Sequence, residues 1–408
     1  MADTVSSNRL SFHRGFRGAI AYALSLEELV LLDDGLLLVD DAGKVVITCD
    51  AQSSQGEQIL ATHGDKVETL SKSEMLIPGF VDLHIHAPQW PQLGKAMHLP
   101  LEDWLQQYTF PLEAKYSDTA FAEKSYTDLV RTLLANGTTT GLYFGTIHNE
   151  ATLLLAQICS ELGQRALVGR LAMDNADQCP DFYRDETTAA ALDGTARFIE
   201  DVRSMPGNED GRVKPVVTPR FIPSCTDECL NGLADIVSKT GAHIQNHCSE
   251  SDWEHNYVLD RHGKTDTQSL TDFGLVTRHT VLAHGNFMSG SDMDILVEQQ
   301  AAVAHCPLSN IYFSNAVFPL RAALEKGVHV GLGTDISGGH SPSIVENAKQ
   351  AIHCSRMLEE GTDADIASSE RGKPGTRIDF KTAFYLATRG GGVALDLPVG
   401  SFEVVHHF

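Results

Sequence analysis

The chain has 408 residues, 42% of them hydrophobic, which suits a barrel-sized domain with a smaller companion better than one small core. Its 31 basic against 54 acidic residues leave a net charge of −23, which repels phosphate backbones and anionic lipids, so neither nucleic acid nor membrane is expected as a partner. There is no run of 18 apolar residues, the opening MADTVSSNRL lacks the basic-then-apolar pattern of a secretory leader, and the eight cysteines form no CxxC pair; reduced thiols in the cytosol are expected.

The elements change texture along the chain. Residues 1–75 read as a small β-unit: GAIAYAL, LVLLDDGLLLVD and KVVITCD are apolar or alternating runs, with turns expected at Asp34-Gly35 and Ala42-Gly43. From residue 76 to 395, strands alternate with helices. Strands are predicted at 76–86, 138–144, 166–173, 213–221, 243–250, 280–285, 301–307 and 328–335. Helical stretches such as FAEKSYTDLVRTLLANG lie between them, this one stopping on Asn136-Gly137. Eight strands in β-α order predict a (β/α)₈ barrel. Residues 396–408 are read as the start of a segment returning to the β-unit.

Polar residues close these strands: His84 and His86 the first, Arg220 the fourth, His247 the fifth, His284 the sixth and Asp335 the eighth. Barrel enzymes carry their sites at the C-terminal strand ends. Two residues apart on a strand, His84 and His86 point the same way, and two converging imidazoles suit a borderline-soft divalent ion such as zinc. Alone, HxH is a weak signal; five metal-suited residues at one rim are hard to explain as packing. Glu250, three residues beyond His247, is open from the residues alone between an ordinary first-turn acid and a proton carrier.

FVDLHIH, His247 with Ser249-Glu250, AHG, AHCPLSN and GLGTD together resemble the amidohydrolase superfamily over most of residues 76 to 395. The resemblance implies that His84, His86, His247 and Asp335 bind one Zn²⁺ per chain, with His284 beside the attacking water rather than a full ligand. It also implies that Glu250 shuttles the proton while Asp335 and His284 receive and orient; bound zinc lowers the pKa of water to ~7. Thr218-Pro219-Arg220 has no lysine at the fourth strand tip to bridge a second metal, so one ion is expected.

Substrate choice rests on the loop His86-Ala87-Pro88-Gln89 and on Arg220-Phe221, together with His247, Glu250 and Asp335. A glutamine amide offers a donor and an acceptor to a heterocycle, arginine donates to a ring carbonyl, and phenylalanine offers a flat face. HxHAPQ with TPRF, the loop 171–186 and the stretch HLPLEDWLQQYTFPLE (98–113), read as a flap over the first loop, resemble the branch of the superfamily that deaminates guanine. The implied reaction is guanine plus water to xanthine plus ammonia, in a cytosolic homodimer. Cys306 is read as packing and His406-His407 as a solvated tail. The resemblance further implies strands beyond VGSFEVVHHF, so a small sandwich, incomplete at its C-terminal side, is expected. The competing readings are another aminohydrolase, acting on an 8-oxopurine, a triazine or an adenosyl thioether, and a catalytically silent scaffold.

Overall fold

A computed structural model describes residues 11–314 and 316–408. Residues 1–10, on which the absence of a leader was read, lie outside the described residues. The chain divides into two compact units, one of Met1–Gly79 with Pro398–Phe408 and one of Phe80–Leu397.

Among the described residues, the smaller unit carries the helix Ser54–His63 and one mixed sheet of five strands: β1 (Arg14–Ala23), β2 (Leu29–Val39), β3 (Val45–Asp50), β4 (Val67–Thr69) and β5 (Met75–Leu76). The order is β3-β2-β1-β4, with β5 also on β1; β1 and β2 pair antiparallel, and β4 and β5 add in parallel. The run Leu36–Val39 is apolar throughout because both sheet faces are covered. Leu36 and Leu38 pack with Phe12 and Ile59, whereas Leu37 and Val39 pack with Phe16, Tyr22 and Phe402.

Two expectations fail in this unit. Asp34-Gly35 is no turn, since β2 runs straight through it. Gly35 is there for close approach: a Cβ would lie 2.8 Å from the Ile20 side chain, beside a register slip between Gly18 and Ile20. Nor is His406-His407 a solvated tail. The His406 carbonyl accepts from Val45 N–H at 2.9 Å, His407 bridges Lys44, and the Phe408 ring stacks on Phe16 at 5.1 Å.

The larger unit is the expected barrel. Its strands are β6 (Phe80–His86), β7 (Thr138–Phe144), β8 (Arg165–Ala172), β9 (Val213–Pro219), β10 (His243–Cys248), β11 (Thr280–His284), β12 (Ala302–His305) and β13 (His329–Leu332), each parallel to its neighbours in chain order. The strand predicted from residue 76 is two: Leu76 pairs with β1, and β6 begins beyond Pro78, which lacks a ladder N–H. The ring comes nearly closed where the chain past β13 meets β6, through Asp335 N–H to the His84 carbonyl (2.8 Å) and His86 N–H to the Ile336 carbonyl (2.9 Å).

Helices seal the outside. That of Thr119–Ala135 is capped by the Asp118 carboxylate and buries Ala122, Tyr126, Leu129, Val130 and Leu133, the three-to-four spacing of an apolar stripe. Among the described residues no helix is long and apolar enough to cross a membrane.

Candidate active site

The rim residues converge. His84 Nε2 and His86 Nε2 stand 3.2 and 3.5 Å from Asp335 Oδ1. His86 Nε2 is 2.9 Å from His247 Nε2, and His284 Nε2 is 3.6 Å from Glu250 Oε1 and 4.0 Å from Asp335 Oδ2. All six side chains are buried.

Outer contacts set the imidazole tautomers. His247 Nδ1 faces the Arg220 carbonyl at 2.6 Å and His284 Nδ1 faces Asn310 Oδ1 at 2.9 Å; both partners only accept, so both Nδ1 atoms carry the proton. Their Nε2 lone pairs therefore turn inward. Among the described residues, His84 Nε2 and His284 Nε2 make no hydrogen bond. Burial first, then repulsion from the neighbouring rings and Arg220, holds His84, His86 and His247 well below the ordinary imidazole value, leaving them neutral.

Such converging, undonated lone pairs are what a cation satisfies. Bonds of ~2.0–2.2 Å at tetrahedral angles set ligand atoms about 3.3–3.5 Å apart, close to the spacings found here. The overlapping groups His84–His86–His247, His84–His284–Asp335 and His247–Glu250–His284 could thus hold a small divalent ion.

The backbone delivers these groups by turning sharply. Ser249, His284 and Asp335 have φ of 50°, 72° and 49°, the left-handed region that costs non-glycine residues energy and marks functional strand ends. Gly338 leaves room for the Asp335 carboxylate, since a Cβ there would lie 2.6 Å from Oδ2. Asp82 ties the seam beneath: it accepts from Thr334 N–H (2.9 Å), Thr334 Oγ1 (2.5 Å) and His84 N–H (3.2 Å). Its alternation with His84 and His86 in DLHIH was the sequence signal for it.

Glu250 is fixed by its main chain. Its N–H donates to Glu254 Oε2 at 2.7 Å, and its carbonyl accepts from Asn286 Nδ2 at 2.9 Å and from the Ser314 hydroxyl. The side chain is left to face His284. Burial, then the Asp335 carboxylate, pushes the Glu250 carboxyl well above the usual range, and burial pushes Asp335 up to about 6.

A cavity opens on this cluster, lined by His86, His247, Glu250 and Asp335 together with Gln89, Arg220, Phe221 and the apolar Leu101, Trp104, Leu105 and Phe313. Ala87 and Pro88 are buried in the turn Ala87–Gln92 that carries Gln89, and it is Gln89 rather than they that lines the cavity. The stretch read as a flap supplies Leu101, Trp104 and Leu105 to the wall. It also supplies a residue the sequence reading passed over: Glu113, wholly buried, whose carboxylate binds the Arg220 guanidinium at 2.7 and 3.2 Å. A buried acid in an otherwise apolar turn, YTFPLE, was the available hint.

Two other groups are structural. Cys306 is buried and its thiol pushed up by burial, consistent with packing. Asp174, Cys225 and Cys229 also lie within ligand distance of one another. However, the Asp174 carboxylate is spent on Thr226 N–H, Thr226 Oγ1 and Thr188 Oγ1 at 2.6–2.7 Å, which ties together the starts of two helices.

Residues 75–404 match the amidohydrolase family. The chain belongs to that family. Among proteins similar to this amidohydrolase, the guanine deaminase of Mus musculus is 38% identical over 96% of this chain and 84% of its own length. The guanine deaminase of Escherichia coli (strain K12) is 30% identical over 92% of this chain and 80% of its own. The crystal structure of guanine deaminase from C. acetobutylicum with guanine bound in the active site superposes with a TM-score of 0.87 at 31% identity, covering 97% of this chain and 89% of that one. The membership expected from FVDLHIH, AHCPLSN and GLGTD is therefore borne out, and so is the barrel.

Proposed function

We propose that this amidohydrolase hydrolyses guanine to xanthine and ammonia in purine catabolism, with one zinc ion held by His84, His86, His247 and Asp335. The observation that carries the reading is the opening of a neutral imidazole cluster onto a cavity walled by Gln89, Arg220 and Phe221. The similarity to guanine deaminases, one of them with guanine bound, supports it.

Zinc, when bound, supplies the Lewis acidity that makes water a nucleophile at neutral pH. The chain's own residues do the rest. Phe221 and Trp104 wall the cavity with flat apolar faces that exclude water from a purine. Gln89 presents a mixed donor-acceptor edge, and Arg220 presents N–H donors to the ring carbonyl. Deamination exchanges the C2 amino group for oxygen, so a ring nitrogen beside C2 must gain a proton and ammonia must leave as a neutral molecule. Glu250, held by its backbone and with its carboxyl pushed up by burial, is placed to deliver that proton. Asp335 and His284, the latter beside both carboxylates, receive and orient the attacking water.

Eight free cysteines suit a reducing compartment, so the reading places the enzyme in the cytosol; a homodimer is what the family resemblance implies. The test is incubation of purified, zinc-loaded protein with guanine, following xanthine by chromatography and ammonia by a coupled assay. Stoichiometric release of both supports the reading; zinc-loaded protein that leaves guanine intact refutes it.

A further inference from the structure

Arg220 does not stand alone in the cavity wall. Its Nη1 and Nη2 donate to the two oxygens of Glu113 at 2.7 and 3.2 Å, and its guanidinium lies 5.1 Å from the centre of the Phe110 ring. Phe110 and Glu113 sit on one short helix, so a single turn grips both the face and the edge of the guanidinium. Gln89 is gripped from the same side. Its Nε2 donates to Glu113 Oε1 at 3.0 Å, while its Oε1 accepts from Ser337 N–H at 3.1 Å. The second bond settles which way the amide faces. One carboxylate with no solvent exposure thus holds both polar groups that line the apolar half of the cavity.

Resting on the guanine reading above, we propose that Glu113 is the positioning residue of the substrate pocket: it fixes Gln89 and Arg220 for the ring and cancels the arginine's charge. Three consequences follow from the geometry. The remaining N–H groups of Arg220 are fixed in direction before substrate arrives, so little ordering is left for binding to do. The Gln89 amide keeps one donor and one acceptor site for the ring, in a single orientation. The pair Arg220–Glu113 has no net charge, so the pocket selects an uncharged oxopurine rather than an anion. Xanthine is a stronger acid than guanine, and a neutral pocket gives its anion no extra hold.

The experiment compares wild-type, Glu113→Gln and Glu113→Asp proteins, each loaded with zinc. Glutamine removes the charge at nearly constant shape. Aspartate keeps the charge but draws the carboxylate back by about 1.5 Å, one C–C bond, and so serves if the glutamine variant does not fold. Metal content should match the wild type in both, because Glu113 touches no member of the metal cluster. KM for guanine should rise tenfold or more in Glu113→Gln and severalfold in Glu113→Asp, with kcat changed by less than threefold. Inhibition by xanthine, relative to KM, should tighten in Glu113→Gln, and more so at pH 8 than at pH 6.5. A merely structural role would lower metal content and kcat together and leave the xanthine ratio unmoved. Wild-type KM in whichever variant folds, or an unmoved xanthine ratio in Glu113→Gln, overturns the assignment. Failure of wild-type protein to deaminate guanine refutes the guanine reading instead.

Discussion

The main-chain N–H of Asp335 donates to the carbonyl of His84 at 2.8 Å, so the barrel nearly closes at the point where the first strand and the chain just past the last one carry candidate ligands. Closure and ligand placement are one event. Asp82 reinforces it with three bonds to Thr334 and His84. Asp82→Asn puts an NH₂ where an acceptor stood. It should cost about 1–3 kcal/mol of stability and weaken zinc binding on the order of tenfold, as loss of outer-sphere support does. Chelator competition and thermal unfolding measure both; unchanged values would show that the seam does not depend on Asp82.

Metal analysis should give one zinc per chain, because the triplets His84–His86–His247 and His84–His284–Asp335 share His84 in one cluster and Arg220, not a lysine, follows β9. His84→Ala and His86→Ala should each lose the ion and the activity. Two tightly held ions per chain would rule out the mononuclear site.

Glu250→Gln keeps the shape and the backbone bonds to Glu254, Asn286 and Ser314 but cannot pass a proton. Zinc should be retained, and kcat should fall on the order of 10²-fold or more. A near-normal kcat with intact metal would remove Glu250 from the proton path.

Arg220→Leu by itself strands Glu113 as a buried, unpaired carboxylate, a loss of about 3–5 kcal/mol. Glu113→Gln combined with Arg220→Leu should recover most of that stability and bind zinc normally. It should also lose most of the preference for guanine over 2,6-diaminopurine, whose C6 amino group opposes the Arg220 donors in the native pocket. Retention of the wild-type preference in the double variant would mean that Arg220 does not read the ring oxygen.

Acid should act on the barrel away from the metal. Burial, opposed by the bond to the Leu395 carbonyl and reinforced by His279, lowers His243 to about 4. The unfolded chain protonates this ring near ~6.5 and the folded one does not. Its contribution is therefore complete above that pH and is lost as pH falls towards 4, by up to ~1.4 kcal/mol per pH unit. Comparing melting temperatures at pH 7.5 and 5.5, His243→Gln should lose less than the wild type; an equal loss would contradict this.

The barrel was legible because its strands are continuous apolar runs that end in His, Arg or Asp, and chemistry at strand ends is what this architecture displays. His84, His86, His247, His284 and Asp335 were readable for that reason. Glu113 was not, since its meaning lies in a partner 107 residues away, and a single acid in an apolar turn has no period. Asn310, Asn286 and Ser314 were missed likewise: they act on Nδ1 or on a carbonyl, and such support leaves no spacing to recognise. Gly35 misled because a glycine that admits a neighbouring Ile20 looks, in one dimension, like one that makes a turn. His406 misled because pairing with Val45 is a relation between distant segments.

The central claim is that the His84–His86–His247–Asp335 cluster and the Gln89–Arg220–Phe221 wall form one site for guanine. The most direct measurement is kcat/KM of zinc-loaded protein for guanine, an 8-oxopurine, an aminotriazine and an adenosyl thioether in parallel. The account predicts that guanine exceeds every other by at least tenfold and that activity disappears with the zinc. Protein carrying zinc that prefers another of these rings, or turns over none, would contradict it.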